Sequence, residues 1–190
     1  MRRESFKGFI TEEERLELVD WFNTSGSFNP GLSRGEWGYT ARETTRQQKQ
    51  VDFPPLVHEL KERAFGLFEF THKCVPQSLP CSQPIIAVKT FNGGDTYSHR
   101  DPTLIEGMAV LRLNVIIQKP ESGGVLHVMD ENGTVIEWET EQGELHCYEV
   151  TQHTHAVTKT IGDKSRYILI FSMQVPYDDW EQYRIIRNGI

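Results

Sequence analysis

Short apolar stretches separated by turn sequences dominate the chain from residue 84 onward. Each stretch has the length of a β-strand, and several alternate apolar with polar residues, as a strand with one buried face does. The pair Asn132-Gly133 between two such stretches is a typical hairpin turn. The predicted strands cover residues 84–91, 95–101, 109–118, 124–130, 133–140, 143–150, 155–160 and 166–174. Short strands at even spacing predict a sandwich or barrel, and eight strands form a jelly roll.

Two helices are predicted before these strands. Thr11 and Glu14 have the spacing of a capping box, so the first helix is expected to begin at this threonine. Leu16 is among the residues of this helix expected to face the core. The sequence Phe53-Pro54-Pro55 opens a second helix, in which apolar residues recur at helical spacing to about Phe70. The predicted fold class is therefore mainly β with flanking helices.

Residues 25–50 are polar and rich in turn sequences, and a loop is expected there. Most of its side chains are expected to be solvated. The alternative is a loop that covers the substrate, with Trp37 or Tyr39 in contact with it, because loops on rigid scaffolds often carry specificity.

Composition excludes several classes of function. The net charge of −7 disfavours general nucleic-acid binding, which needs clustered cations to neutralise phosphates. No apolar run is long enough for a membrane span, and the first residues lack the apolar core of a secretory signal. Three cysteines without a Cys-x-x-Cys pair fit free thiols in a reducing cytoplasm, and a Cys74–Cys81 disulfide is the less favoured interpretation.

A length of 190 residues is most simply one domain, expected to cover 1–190. Within it, a helical and loop-rich part covers 1–83, the jelly-roll core covers 84–175, and a short tail covers 176–190.

The sequence Tyr97-Ser98-His99-Arg100-Asp101 carries the first candidate chemistry. Side chains two apart on a strand point to the same side, so the imidazole of His99 and the carboxylate of Asp101 are expected to converge. With a second, distant imidazole they would form the two-His-one-carboxylate facial triad of non-haem Fe(II) oxygenases. His155 is the best candidate for that third ligand. His153 competes with it, because the two residues would share one face of a strand.

Arg166 opens the predicted strand that follows His155. An arginine so placed is suited to hold an anion deep in the barrel, because its guanidinium is planar, always charged and able to bind a carboxylate with two hydrogen bonds.

Together these motifs resemble the Fe(II)/2-oxoglutarate-dependent dioxygenases, in particular the small members grouped with the prolyl hydroxylases. The resemblance runs from about Ile85 to Met173. It is carried by His99-x-Asp101, the strand 113–119 with Gly123-Gly124 after it, His155-Ala-Val, and Arg166-Tyr-Ile-Leu. It implies a double-stranded β-helix, or jelly roll, braced by N-terminal helices.

The resemblance implies that His99, Asp101 and His155 bind Fe(II), leaving positions for 2-oxoglutarate and dioxygen. The implied reaction is hydroxylation, or another oxidation such as desaturation, of an unactivated C–H bond. The substrate would be amino-acid-like, a peptide or a natural product, and 2-oxoglutarate would be decarboxylated to succinate. Related halogenases lack the carboxylate that Asp101 supplies, which argues against halogenation.

Three further roles follow from the resemblance. Arg166 would pair with the far carboxylate of 2-oxoglutarate, and Asn114 would help to hold this cosubstrate. Tyr97 is a weaker candidate for the same task, because it lies two residues before His99 where the prolyl hydroxylases have a spacing of three. Arg112 shares the face of Asn114, and it would bind substrate or form a salt bridge with a structural carboxylate.

Two rival functions remain at this stage. One is a cupin-like metal enzyme that does not use 2-oxoglutarate. The other is a non-catalytic jelly roll that binds a ligand. The partners expected are a small-molecule or peptide substrate, with no nucleic acid and no membrane.

Overall fold

A computed structural model describes residues 3–26, 28–35, 38–79, 84–101, 106–130 and 132–179, and the side chains of residues 30–44 lie outside this description. Its helices are α1 (Glu12–Thr24) and α2 (Pro55–His72). Its strands are β1 (Arg3–Phe6), β2 (Asn29–Gly35), β3 (Gly38–Lys49), β4 (Gln77–Ser78), β5 (Ile85–Thr90), β6 (Thr96–His99), β7 (Met108–Gln118), β8 (Ser122–Gly123), β9 (Leu126–Met129), β10 (Val135–Trp138), β11 (Leu145–Glu149), β12 (His155–Val157), β13 (Thr160–Ile161) and β14 (Arg166–Pro176).

The strands form two main sheets and a short ribbon. The large sheet has the order β1-β11-β7-β14-β5-β3-β2, with β4 added beside β14. The small sheet has the order β10-β9-β12-β6, and β13 pairs with β8. The antiparallel core strands β5, β7, β11 and β14 lie in the large sheet, while β6, β9, β10 and β12 lie in the small one. This alternation between two facing sheets is the double-stranded β-helix, so the predicted fold class is confirmed.

All eight predicted core strands are present, each within a few residues of its predicted bounds. The Asn132-Gly133 hairpin joins β9 to β10 as expected, with Val135 opposite Met129. Both predicted helices are also confirmed. Thr11 and Glu14 form the capping box at the start of α1, and Pro55 begins α2.

Two local predictions are wrong. Residues 25–50 are not a loop: most of them form the hairpin of β2 and β3, and β3 pairs with β5 to extend the large sheet. Leu16 does not face the core and is 53% exposed, whereas Leu18 and Phe22 of α1 are fully buried. The face of α1 was ambiguous because apolar residues surround much of this helix.

The two helices cover the outer face of the large sheet and form the main hydrophobic core with it. Phe22 of α1 stacks on Tyr167 of β14 with ring centroids 4.7 Å apart, and the Tyr167 hydroxyl donates to Asn23 at 2.7 Å. Because side chains alternate along β14, burying Tyr167 and Leu169 against the helices turns Arg166 and Ile168 to the inner face. The packing of the helices thereby fixes which residues face the space between the sheets.

Within the described ranges, no helix combines the length and the apolar character that crossing a bilayer requires. Cys74 and Cys147 are buried in the main core. Cys81 lies outside the described residues, so the structure does not test the Cys74–Cys81 disulfide.

Candidate metal and anion site

His99, Asp101 and His155 meet between the sheets. His155 of β12 is paired with His99 of β6, and their ring centroids are 4.3 Å apart. The backbone N–H of Asp101 donates to the carbonyl of Val150 at 2.9 Å, which holds the carboxylate beside the two rings. One potential ligand atom from each of the three residues lies within 4.8 Å of the others. The structure thus brings together the three residues that the sequence selected, with His155 and not His153 beside His99.

Backbone carbonyls orient both imidazoles. Nδ1 of His99 lies 2.8 Å from the carbonyl oxygen of Tyr97, and Nδ1 of His155 lies 3.2 Å from that of His153. A carbonyl oxygen can only accept, so both Nδ1 atoms carry the proton and donate it. The lone pair of a neutral ring is then on Nε2. This arrangement is the usual one for metal-binding histidines, whose second nitrogen donates to a carbonyl or carboxylate.

Nε2 of His99 faces Oδ1 of Asp101 at 3.3 Å. Two acceptor atoms at this distance repel each other unless a proton or a cation lies between them. A divalent metal ion bound by the second imidazole as well would remove this repulsion. The residues present therefore fit a metal ion of the type held by two histidines and one carboxylate.

Arg112 holds the other oxygen of this carboxylate. Its Nε and Nη2 donate to Oδ2 of Asp101 at 3.1 and 2.8 Å, and its Nη1 donates to the hydroxyl of Ser172. Burial raises the pKa of Asp101, but the neighbouring His99 ring and the Arg112 guanidinium outweigh it and hold this pKa well below its ordinary value. Asp101 is thus ionised, with Oδ1 left to face the histidines.

His155 is neutral over the physiological pH range. Its burial, followed by the neighbouring His99, lowers its pKa to about 4. A neutral imidazole is the form that binds a metal, so no proton has to leave His155 before a metal binds.

The three residues line one side of a cavity of about 310 Å³ between the two sheets. Apolar side chains of the large sheet form a surface across from the metal residues, which we call the apolar floor. It consists of Ile86, Val88, Ile168 and Ile170. At the rim, the Nε of Arg100 donates to the hydroxyl of Thr154 at 3.0 Å. The cavity thus combines an apolar floor with many polar and charged groups, and a concave site of this size suits a polar small molecule.

Arg166 projects into this cavity from the first position of β14 and is 6% exposed. Its burial is the main cause that lowers its pKa to about 10, which leaves it charged at neutral pH. Gly124 makes room for it, since a Cβ at this glycine would lie 2.8 Å from Cδ of Arg166 and the φ of +66° disfavours other residues. The Gly123-Gly124 motif thus admits the stem of the cavity arginine.

Asn114 and His146 face each other on β7 and β11, and Nδ2 of Asn114 lies 3.1 Å from Nε2 of His146. Oδ1 of Asn114 and Nδ1 of His146 are buried and have no hydrogen-bond partner among the described residues. Leaving such atoms unpaired is costly, and a polar ligand in the cavity that both residues line would satisfy them. Asn114 thus lies where the sequence predicts, on the inner face.

The remaining predicted site residues have different outcomes. The ring of Tyr97 lines the cavity, 5.0 Å from the ring of His99. Arg112 also lines it, but its guanidinium is engaged by Asp101, which is the salt bridge weighed as an alternative to substrate binding. Trp37 and the side chain of Tyr39 lie outside the described residues, so their proposed contacts with substrate stay predictions.

Sequence reasoning missed several cavity residues, among them His146, Tyr148, Arg46 and Gln48. The first two lie at alternate positions of the predicted strand 143–150, so they share one face of it. Burial, followed by the Asp101 charge, raises the pKa of Tyr148 to about 12, so it stays a hydroxyl donor. Arg46 and Gln48 lie on β3, which the sequence did not reveal as a strand.

Comparisons with known proteins identify the fold and nothing finer. No family model matches the chain, and no curated protein matches it. Solved structures match at low identity. A prolyl hydroxylase of Trichoplax adhaerens in complex with a hypoxia-inducible-factor peptide has a TM-score of 0.64 at 12% identity, over 93% of this chain and 84% of that one.

Two further structures match similarly well. A 2-oxoglutarate–Fe(II) oxygenase family oxidoreductase of Burkholderia pseudomallei has a TM-score of 0.67 at 10% identity, over 90% of this chain and 84% of that one. HygX of Streptomyces hygroscopicus, solved with nickel, 2-oxoglutarate and hygromycin B, has a TM-score of 0.66 at 10% identity, over 92% and 82%. The chain therefore has the fold of the prolyl hydroxylases and 2-oxoglutarate–Fe(II) oxygenases, as the sequence motifs indicate.

Proposed function

We propose that this chain is an Fe(II)- and 2-oxoglutarate-dependent dioxygenase that oxidises an unactivated C–H bond, with decarboxylation of 2-oxoglutarate to succinate. The observation that carries the proposal is the cluster of His99, Asp101 and His155, whose ligand atoms lie within 4.8 Å of one another on a cavity wall. Two imidazoles and one carboxylate form the donor set that leaves coordination positions open on ferrous iron.

The roles of the chain's own residues follow from their contacts. Nε2 of both histidines and Oδ1 of Asp101 would hold the iron, while Arg112 keeps Oδ2 engaged. Iron, when bound, supplies the activation of dioxygen. Arg166 would bind the far carboxylate of 2-oxoglutarate at the inner end of the cavity.

The other lining residues would orient and shield the reactants. The amide of Asn114 and the ring of Tyr97 would contact the cosubstrate, as both line the cavity. The apolar floor would help to exclude water from the space between Arg166 and the candidate metal ligands. Exclusion of water protects a reactive site from side reactions.

Hydroxylation, or another oxidation such as desaturation, is proposed in preference to halogenation, because Asp101 supplies the carboxylate ligand. The proposed substrate is amino-acid-like, a peptide or a natural product. A peptide is present in the Trichoplax structure, and hygromycin B is present in that of HygX. A single catalytic domain over residues 1–190, a cytoplasmic location and the absence of nucleic-acid or membrane partners stay predictions.

Metal binding is the first test. Wild-type protein, titrated anaerobically with Fe(II) or with Mn(II) as a stable substitute, should bind one ion. His99→Ala and Asp101→Ala should each lower the affinity at least about 100-fold, because each removes one of three ligands. His58→Ala is the matched control, since His58 is an exposed histidine on α2 outside the cavity. Equal affinity in all four proteins would refute the site.

Turnover is the second test. With Fe(II), ascorbate and 2-oxoglutarate, the wild-type protein should release succinate, and His99→Ala and Asp101→Ala should not. Arg166→Ala separates a cupin-like enzyme from a 2-oxoglutarate enzyme, because only the latter requires much more cosubstrate after this change. A non-catalytic jelly roll would bind its ligand equally well after all three metal residues are replaced.

A further inference from the structure

Arg100 lies between two of the candidate metal ligands in the chain and lines the rim of the cavity. His99 of β6 is paired with His155 of β12, so the next positions, Arg100 and Thr154, lie opposite each other in the same antiparallel register. Their side chains meet there, since Nε of Arg100 donates to the hydroxyl of Thr154 at 3.0 Å. This contact holds the guanidinium beside the metal residues.

Most of the hydrogen-bonding capacity of Arg100 is unused. A guanidinium has five N–H groups, and the contact with Thr154 takes only the one on Nε. Among the described residues, Nη1 and Nη2 have no hydrogen-bond partner and no carboxylate beside them. These two terminal groups form a planar fork that matches the two oxygens of a carboxylate. Arg100 thus presents an oriented, unoccupied fork at the rim.

The cavity as a whole has an excess of positive charge. The described charged residues that line it are Arg46, Asp95, Arg100, Asp101, Arg112 and Arg166. The chain has a net charge of −7, so this excess of arginine is a local feature. A divalent metal ion and the dianion of 2-oxoglutarate would cancel each other's charge and leave the excess in place. A third molecule in the cavity is therefore favoured if it is an anion.

Arg100 is the lining arginine best placed to bind that anion. Arg112 is bound to Asp101, and Arg166 lies at the inner end of the cavity, where the proposed cosubstrate would bind. Arg46 has an interaction of its own within the protein. Arg100 is exposed, so a substrate that arrives from solvent can reach it.

We propose that Arg100 binds a carboxylate of the substrate, with Thr154 orienting the guanidinium. The inference rests on the proposed function and narrows its substrate class to an amino acid, or a peptide or natural product that carries a carboxylate. The carboxylate is held at the rim, and the carbon chain extends from there towards the metal ligands. Arg100 is then a specificity-determining residue, and Thr154 is a positioning residue.

The test uses pairs of probes that differ only in this charge. Each common amino acid, with a free or an acetylated amine, is offered as the acid and as the methyl amide to anaerobic protein loaded with Mn(II) and 2-oxoglutarate. Calorimetry measures binding. The tightest binder should be an acid, and its amide should bind about 10-fold more weakly, the effect of losing a charge-assisted hydrogen bond. Arg100→Gln should weaken the acid by the same factor and leave the amide unchanged.

Two further variants separate orientation from charge. Arg100→Lys keeps the charge without the planar fork, and Thr154→Val removes the hydroxyl that holds Nε, so each should lose part of the affinity for the acid. Lys164→Gln is the matched control, because it removes a positive charge from an exposed position outside the cavity, and it should change neither affinity. A tightest binder without a carboxylate, no binding by any acid, or full acid affinity in Arg100→Gln would overturn the inference.

A second measurement separates this inference from the proposed function. Arg100→Gln should bind Mn(II) and 2-oxoglutarate as tightly as the wild type, and a loss of Mn(II) affinity as large as the loss for the acid would overturn the inference. Acid binding is then repeated on metal-free protein. Wild-type protein that binds acids through Arg100 but binds no metal would refute the oxygenase and retain the carboxylate site. Wild-type protein that releases succinate with a neutral substrate, regardless of Arg100, would do the reverse.

Discussion

Arg112 directs two of its N–H groups to the same oxygen of Asp101, at 3.1 and 2.8 Å, and leaves the other oxygen to the histidines. The carboxylate is thereby divided into an oxygen held by the protein and an oxygen available to a metal. Arg112 is in turn held by Ser172 on β14. Two residues of the large sheet, Arg112 and Ser172, thus orient Asp101, a candidate metal ligand. Asp101 itself follows β6, the edge strand of the small sheet.

Removing this support should weaken metal binding without removing a ligand. Arg112→Ala leaves a half-buried carboxylate without its cation, and we expect the affinity for Mn(II) to fall about 10- to 100-fold, the usual effect of losing such a supporting contact. Arg112→Lys keeps the charge but not the paired donors, so its Mn(II) affinity should lie between those of the wild type and Arg112→Ala. Metal titration of the three proteins measures this, and wild-type affinity in Arg112→Ala would show that Asp101 needs no partner.

Gly124→Ala should displace Arg166. The added Cβ would lie 2.8 Å from Cδ of Arg166 and 3.0 Å from Cγ of Pro120, at a φ of +66°. We expect 2-oxoglutarate to bind about 10-fold more weakly while metal affinity stays unchanged, because a charge-assisted hydrogen bond is misplaced. Gly133→Ala is the control: its φ is +80° but nothing lies within 4 Å of the new Cβ, so only a stability cost of about 1 kcal/mol is expected. Equal 2-oxoglutarate affinity in both variants would mean that Gly124 does not position the arginine.

Local alternation in the sequence was sufficient to predict the core strands and the convergence of His99 with Asp101, whereas the choice of His155 over His153 depended on the family resemblance. His99 and Asp101 lie two apart on one segment, and each core strand has a buried apolar face. Strand β3 could not be predicted in this way. Its second half, Thr44-Thr45-Arg46-Gln47-Gln48-Lys49, is polar throughout, because one face lines a polar cavity and the other carries the buried Lys49.

Local sequence patterns also could not predict which distant segments pair with each other. That Asn114 faces His146 depends on the register between β7 and β11, which only the folded sheet defines. The sequence around His146 therefore carries no local signal that this residue lines the cavity beside Asn114.

Phe22→Ala should be among the most destabilising changes on α1. The ring is fully buried and stacks on Tyr167, next to Arg166, at a centroid distance of 4.7 Å. We expect a loss of about 3–5 kcal/mol in the free energy of unfolding, measured with denaturant. Leu16→Ala on the same helix should cost no more than about 0.5 kcal/mol, since Leu16 is 53% exposed. Similar losses for the two variants would mean that α1 packs through a different face.

Glu14 should make stability depend on pH. Its carboxylate receives two hydrogen bonds from Arg63 of α2, at 3.0 and 2.6 Å, and one from the backbone of Thr11 at 2.9 Å. The hydrogen bond from Arg63 is the main cause that lowers the pKa of Glu14 below its ordinary value of 4.5. A carboxyl whose pKa is lower in the folded state stabilises the fold above its unfolded pKa, and this contribution is lost as pH falls through the folded value.

Glu14→Gln should therefore destabilise the protein at pH 7 by about 0.5–1 kcal/mol, the range for a partly exposed ion pair. The difference between the two proteins should disappear in acid, where Glu14 is protonated. Denaturant unfolding at several pH values measures both curves. Glu13→Gln, a neighbour in the same first turn without an ion pair among the described contacts, should change little at any pH. A constant difference between Glu14→Gln and wild type at all pH values would exclude the Arg63 contact as its cause.

The direct pairing of His155 with His99 makes the candidate centre sensitive to sliding of one strand along the other. Side chains alternate with a period of two, so displacing β12 by a single residue would point His155 away from the cavity while every ligand remained in the chain. A one-residue insertion or deletion in the short segment 151–154 could therefore erase the site as completely as replacing a ligand. Homologous chains with the same three residues should accordingly be compared by strand alignment as well as by residue identity.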